Sequence, residues 1–290
     1  MNNNPSSPLD LLRRHNLNLK KSLGQNLLID ASHLTRIADA ADLEETDNVL
    51  EIGPGLGALT HHLADRAGRV VAVELDQRLI PILRVEFAGR PHVSFVHGDI
   101  LELSPPELIR AQLSDQLGSD STGNSYKVVA NLPYYITSAV LRHVLESLPP
   151  PTLAVLLVQQ EVAQRMVAKP GAMSLLAVSV QFYASPRALH RIPAGAFLPR
   201  PKVDSRVVRL DLRPQPAVSD VEPALFFNTV RAGFGQRRKQ LRNSLSAGLS
   251  CTKEQADLWL TASGIDPRRR AETLSLPEWG MLAKTVYGSA

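Results

Sequence analysis

The sequence predicts an α/β fold, a mostly parallel sheet with helices on both faces, followed by a small all-helical domain. Three observations carry this expectation. Five short runs rich in Val and Ile lie between residues 48 and 159 and are apolar throughout rather than alternating, as strands buried on both faces are. Helical patterns separate them, which is the arrangement of βαβ crossovers. Beyond Pro214 and Pro216 the periodicity becomes helical and stays so.

Taken in order, the strands read NVLEIG (48–53), RVVAVEL (69–75), VSFVHGD (93–99), KVVANLP (127–133) and LAVLLVQ (153–159). ALTHHLADRA (58–67) and QRLIPILRVEFA (77–88) are helix-like, and SDQLGSDSTGNS (114–125) is a polar surface loop. SLLAVSVQFYA (174–184) and SRVVRLDLRP (205–214) predict two further strands. Helices are expected in PALFFNTVRAGF, RKQLRNSLSAGL, KEQADLWLTASG and LPEWGMLAKTVY. The predicted division is an N-terminal extension at 1–19, partly disordered, then an α/β domain at 20–216 and a helical domain at 217–290. The extension opens with Asn, Pro and Ser, which resist burial.

Composition narrows the class. The 290 residues are 44% hydrophobic and 21% charged, as in an ordinary globular protein. One cysteine, Cys251, excludes an intramolecular disulfide and a cysteine-based zinc site, and favours a reducing, cytoplasmic setting. The start has no apolar core of signal-peptide length, and no run approaches 18 apolar residues. No metal is expected, because no Cys/His/Asp cluster has ligand spacing; His61 and His62 read as surface residues. From Arg200 onward 15 Lys/Arg stand against 9 Asp/Glu, whereas residues 1–199 hold 17 against 19. A basic rear part suits a polyanionic partner; a soluble basic surface with no partner is the alternative.

VLEIGPGLGALTHHLA (49–64) reads as a strand, a glycine turn through Gly53, Gly55 and Gly57, and a helix. Glycines let a ligand approach the backbone closely, and the helix N-terminus suits a polar group. A second strand ends at Glu74, 21 residues after Gly53, where a carboxylate can accept both hydroxyls of a ribose. The turn fits S-adenosylmethionine, a dinucleotide or a structural role, and with Ala58 it even satisfies G-x-G-x-x-G/A. Glu51 tilts it toward the first, because E-x-G-x-G-x-G resembles the first motif of class I methyltransferases. Gly98-Asp99, ending the third strand, resembles the methyltransferase position whose acidic residue accepts from the adenine amino group; taken alone, a Gly-Asp pair reads as an ordinary turn.

The fourth strand runs into Asn131-Leu132-Pro133-Tyr134, and ligands of open parallel sheets sit beyond the carboxyl ends of the strands. An exocyclic amine on a nucleobase is a poor nucleophile, because its lone pair is conjugated into the ring. Acceptors against its N–H bonds favour the pyramidal form. The Asn131 side-chain oxygen supplies one, and a backbone carbonyl of Leu132 or Pro133 the other. Proline stiffens the turn without adding a donor, and Tyr134 offers a flat face for a base drawn from its stack. Tyr135 is expected to pack rather than react. The competing reading is an Asn-Pro turn with its tyrosines in the core.

KKSLGQNLLID (20–30), EIGPGLGALT, VVAVELD, HGDIL, NLPYYITSAVL, FLPRPKVDS (197–205), FGQRRKQLRNSL (234–245) and RAETLSLPEW (270–279) resemble, in order, the ribosomal RNA adenine N6,N6-dimethyltransferase family. The resemblance implies a Rossmann-like class I methyltransferase that uses S-adenosylmethionine, releases S-adenosylhomocysteine and dimethylates two adjacent adenosines near the 3′ end of small-subunit (16S) RNA. It implies cofactor contacts from Asn26 and Leu28 beside Gly53, Gly55, Glu74, Asp99 and Asn131. It makes Asn131, Leu132, Pro133 and Tyr134 the catalytic turn and gives Phe197 a place to stack on the base with Tyr134. The implied partner is small-subunit RNA in a pre-30S particle, met by a monomer without membrane or metal. Three departures stand out: Leu27 where Phe is usual, no Tyr-Gly pair in 170–181, and Arg206 where a small residue is usual.

Arg237, Arg238, Lys239 and Arg242 are expected to contact RNA phosphates, with Arg238 and Arg242 on one helical face; Arg268, Arg269 and Arg270 form a second cluster. A related resistance methyltransferase of large-subunit RNA shares the front motifs, and only FGQRRKQLRNSL and RAETLSL speak for the small subunit. A non-catalytic factor on the same fold leaves the intact Glu74, Asp99 and Asn131 unused. A nicotinamide-dependent reductase leaves Asn131–Tyr134 unexplained. A nucleobase deaminase is excluded, because the sequence has no H-x-E with a P-C-x-x-C.

Overall fold

Apolar strands flanked by helices assemble here as layers that bury both faces of a sheet. The computed structural model describes residues 8–18, 20, 24–114, 125–236 and 238–288. Its first elements are α1 (Pro8–Arg14), β1 (Leu27–Leu28), α2 (Ala31–Asp39), β2 (Asn48–Ile52), α3 (Ala58–Ala64), β3 (Arg69–Glu74), α4 (Ile80–Glu86), β4 (Val93–His97), α5 (Pro105–Ser114) and β5 (Lys127–Asn131). There follow α6 (Thr137–Leu145), β6 (Leu153–Gln159), α7 (Gln160–Met166), α8 (Leu175–Tyr183), β7 (Ala184–Ile192), β8 (Phe197–Leu198) and β9 (Ser205–Leu212). Helices α9 (Pro223–Phe234), α10 (Leu241–Gly248), α11 (Lys253–Ala262) and α12 (Leu276–Tyr287) end the chain. No helix among the described residues is long and apolar enough to cross a membrane.

The chain divides into two units, one formed by the chain up to Ala163 with Arg187–Leu212, the other by Gln164–Pro186 with the chain from Arg213 onward. The first carries a seven-stranded sheet in the order β4-β3-β2-β5-β6-β9-β7. Strands β2 to β6 pair in parallel, and β9 runs antiparallel to β6. From β2 the chain steps outward to β3 and β4, then returns to β5 on the other side. That reversal opens the crevice in which sheets of this kind take ligands. The sheet is covered on both sides. Leu34, Ile37, Leu59 and Leu63 pack with Val49, Val129 and Val155, while Leu79, Ile82, Leu83 and Phe87 pack with Ala72 and Phe95.

The five expected strands between 48 and 159 form, as does the one from 205. SLLAVSVQFYA does not form a strand: it is helix α8. Ser174 caps it by accepting the Ala177 N–H at 3.2 Å, and Ala177, Val178 and Phe182 are buried in the core of the second unit. An apolar run buried all round carries no period that separates strand from helix. The strand follows it instead, as β7 at the sheet edge, where Pro186 is tolerated because no ladder partner needs its missing N–H.

The expected domain limits shift accordingly. Residues 164–186 belong with the C-terminal helices, and the boundary falls after Leu212 rather than at 216. Within the 1–19 extension, α1 is ordered structure: its Leu11 is buried against Leu79, Ile80 and Phe87. The expectation of a disordered start at residues 1–7, and that of a surface loop at 115–124, fall outside the described residues. In the second unit Trp279, Phe182, Phe226, Phe227 and Leu241 form the core. Ser275 and Glu278 make a reciprocal capping box at the start of α12.

Candidate active site

Because β4, β3, β2 and β5 are parallel neighbours, their carboxyl ends share one rim. Residues at or just past those ends stand along it in the order Asp99, Glu74, Gly53 and Asn131. One cleft takes its walls from all four, and from Asn26, Leu28, Gly55, Leu132, Pro133, Tyr134, Tyr135 and Phe197. The sheet order thus gathers every cofactor and catalytic residue expected from the sequence.

The glycine turn is held by the strands around it. The Gly53 N–H donates to the Val73 carbonyl at 2.9 Å. Gly57 has φ +80°, and a Cβ there would lie 2.6 Å from the Phe87 ring, so this position tolerates no side chain. Glu74 is buried, and its Oε2 and Oε1 accept the Gly55 N–H at 3.0 Å and the Asp76 N–H at 2.8 Å. Burial raises its carboxyl pKa while both N–H groups oppose that. Each oxygen has a second lone pair to offer. Asp99 Oδ1 accepts the Leu101 N–H at 2.9 Å, and Oδ2 has no protein donor among the described residues.

Glu51, the first residue of the glycine motif, lies elsewhere. It is 1% exposed and neither oxygen has a hydrogen-bond partner among the described residues. Burial pushes its carboxyl up to about 8, the Thr60 hydroxyl opposing and Glu74 adding to the rise.

The Asn131–Tyr134 turn is held by hydrogen bonds on several sides. Asn131 donates through Nδ2 to the Asn26 carbonyl at 3.4 Å, its Oδ1 having no donor among the described residues, and Asn26 donates to the Gly24 carbonyl at 3.1 Å. The Pro133 carbonyl accepts the Ile136 N–H at 3.2 Å and the Thr137 hydroxyl at 3.5 Å. Of the two carbonyls considered from sequence, that of Leu132 is therefore the one without a donor among the described residues. Tyr134 is half-buried, its hydroxyl 2.7 Å from Ser205 Oγ at the start of β9. Burial raises the phenol pKa. Phe197 lines the cleft but is 4% exposed and pairs with Leu28, so it forms wall rather than a projecting ring.

Three contributors were not legible in sequence. Ser205 orients Tyr134. Asp76, 1% exposed, binds Arg78 at 2.7 Å, Lys20 at 3.3 Å and Gln25 at 3.4 Å, and so anchors the GQN segment beside Glu74. Arg78 chiefly, then Lys20, holds its carboxyl far below the usual range. Tyr135, expected to pack, is instead exposed. Only the VELD and KVDS motifs hinted at Asp76 and Ser205.

Two further expectations change. His61 is not a surface residue: it stacks on Phe87 with ring centroids 4.2 Å apart, and burial lowers its pKa. Arg238 and Arg242 do not share a helical face, because Arg238 lies in a turn and α10 begins only at Leu241. Arg238 and Lys239 are exposed there, and Arg237 lies outside the described residues. Arg242 pairs with Asp257 at 2.8 Å, Arg268 with Asp266 at 3.0 Å and Arg269 with Glu278, so each of these three arginines is already engaged by a nearby carboxylate.

Residues 16–286 match the family model described as ribosomal RNA adenine dimethylase. The chain belongs to that family. Among curated adenine dimethylase relatives, the ribosomal RNA small subunit methyltransferase A of Dehalococcoides mccartyi strain 195 is 46% identical over 94% of this chain and 90% of its own length. That of Anoxybacillus flavithermus is 43% identical over 98% and 95%. Two solved structures share the fold. The 23S ribosomal RNA methyltransferase ErmE is 28% identical, with TM-score 0.68 over 89% of this chain and 98% of its own. A dimethyladenosine transferase from Plasmodium falciparum is 24% identical, with TM-score 0.70 over 88% and 95%.

Proposed function

We propose that this protein transfers methyl groups from S-adenosylmethionine to N6 of two adjacent adenosines near the 3′ end of small-subunit ribosomal RNA, producing N6,N6-dimethyladenosine. The observation that carries the reading is one cleft in which Asn131 Oδ1 and the Leu132 carbonyl have no donor among the described residues, on the rim that also bears Glu74 and Asp99. The two ends of that rim suit the two ends of the cofactor. Asp99 Oδ2 suits the adenine amine, Glu74 the ribose hydroxyls, and the glycine turn with Asn26 and Leu28 the remainder. When bound, S-adenosylmethionine supplies an electrophilic methyl on a sulfonium centre and departs as S-adenosylhomocysteine.

The chain's own residues act on the acceptor. Asn131 Oδ1 and the Leu132 carbonyl accept the two N6–H bonds and turn the nitrogen lone pair out of conjugation. Tyr134, oriented by Ser205, stacks on the base. Neither acceptor is a strong base, so the proton displaced from N6 leaves to water after the new N–C bond forms; orientation and charge placement supply the rate. A monomethylated N6 retains one N–H, so a single acceptor suffices to hold it for the second round. Exposed Arg238 and Lys239 support contact with RNA phosphates. We place the reaction on a pre-30S particle in the cytoplasm, performed by a monomer.

The test is incubation with labelled S-adenosylmethionine and under-methylated small or large subunits, followed by mapping of the modified base. Label is expected on two adjacent small-subunit adenosines; label confined to the large subunit overturns the reading. Asn131→Ala is expected to abolish transfer even at saturating S-adenosylmethionine, a loss of turnover that exceeds any loss of cofactor affinity, and full activity in that variant excludes its role.

A further inference from the structure

Tyr135 follows the catalytic tyrosine and does something different. Tyr134 and Tyr135 open a single 3₁₀ turn, Tyr134–Ile136. At three residues per turn, neighbouring side chains diverge by roughly 120°, so the two rings do not share one base. Tyr134 turns inward to Ser205. Tyr135 lines the same cleft yet is 62% exposed, and its hydroxyl has no hydrogen-bond partner among the described residues.

This exposed ring is nevertheless seated. A Cβ at Gly24 would lie 3.1 Å from Tyr135 Cε1, 3.2 Å from Cδ1 and 3.3 Å from Pro133 Cβ, and Gly24 has φ +58°. One edge of the ring therefore rests on backbone that only glycine leaves open. Seating on an edge fixes the ring while keeping aromatic surface toward solvent. A tyrosine placed for packing alone would bury that surface; one placed for recognition keeps it available at the lip.

We propose that Tyr135 is a stacking platform for the nucleobase next to the target adenosine. The proposal rests on the reading that Asn131–Tyr134 hold the target base. An adenine in the Tyr134 slot is tied through one phosphodiester to its neighbour, which must leave the cleft past its rim. An unstacked base there finds an aromatic surface already fixed in place. Every base has a π-face, so the contact fixes the position of the strand rather than its sequence. Where two neighbouring adenosines are both substrates, the platform holds one while the other is in the slot.

Tyr135→Ala, Tyr135→Phe and Tyr135→Leu separate stacking from bulk. With under-methylated small subunits, Tyr135→Ala is expected to raise the half-saturating subunit concentration about tenfold or more. Tyr135→Phe should match wild type, Tyr135→Leu should follow alanine, and S-adenosylmethionine affinity and melting temperature should hold in all three. In a second arm, 2-aminopurine beside the target adenosine in a hairpin RNA should be quenched by wild type and Tyr135→Phe, and not by Tyr135→Ala. Unchanged half-saturation in Tyr135→Ala, rescue by leucine as full as by phenylalanine, or equal quenching by all variants overturns the proposal. Wild-type protein that quenches the probe in the expected pattern but methylates no small-subunit adenosine sinks the proposed reaction and leaves the platform standing.

Discussion

Replacing Glu51 by Gln tests the electrostatics beneath the glycine turn. Glu51 is fully buried, has no hydrogen-bond partner among the described residues, and keeps its proton up to about pH 8. In the unfolded chain the same carboxyl ionises near its ordinary 4.5. Below that pH both states carry the proton, and Glu51 places no pH dependence on stability. Between 4.5 and about 8 the unfolded state binds fewer protons than the folded one, so stability falls as pH rises. Each pH unit in that window costs about 1.4 kcal/mol, and the whole window about 5 kcal/mol. Glutamine has no proton to lose. Its buried amide adds a penalty, but one that does not change with pH. Urea unfolding of both proteins at whole pH units from 5 to 8 therefore isolates the effect. The stability of Glu51→Gln relative to wild type should climb by several kcal/mol across the series. A difference that stays flat would mean that Glu51 is ionised in the folded protein, and the reasoning fails.

Asp76→Ala removes the carboxylate that Arg78, Lys20 and Gln25 share. It should lower stability by about 2 kcal/mol in denaturant unfolding and weaken S-adenosylmethionine binding, measured calorimetrically, more than it lowers the turnover of saturated enzyme. Replacing Arg238 and Lys239 together by alanine should flatten the dependence of log affinity for small subunits on log salt by about 1.5, given roughly 0.7–0.9 per phosphate contact. A filter-binding series in potassium chloride reads this directly.

The alternation of apolar runs and helical patterns determined the parallel sheet, since those residues can be buried in no other common arrangement, and the glycine turn announced its own close approach of strand and helix. Asn131–Tyr134 could be read as a site because an amide, a proline and an aromatic ring at the end of a strand have a shared chemical use. The sequence could not show that 174–184 is helical, because an apolar stretch buried on every side has no period; only packing against Phe226 and Phe227 and the Ser174 cap decide it. Nor could it order the rim. Asp99, Glu74, Gly53 and Asn131 are far apart in the chain, and the reversal between β4 and β5 is what lines them up. Tertiary contacts also sorted the neighbours: Glu51 went inside, His61 was stacked half-buried on Phe87, Arg242 was claimed by Asp257, and the two adjacent tyrosines were turned apart, one toward Ser205 and the other into solvent. Local sequence sets what a residue is able to do; which partner it meets depends on chain segments that only the fold brings together.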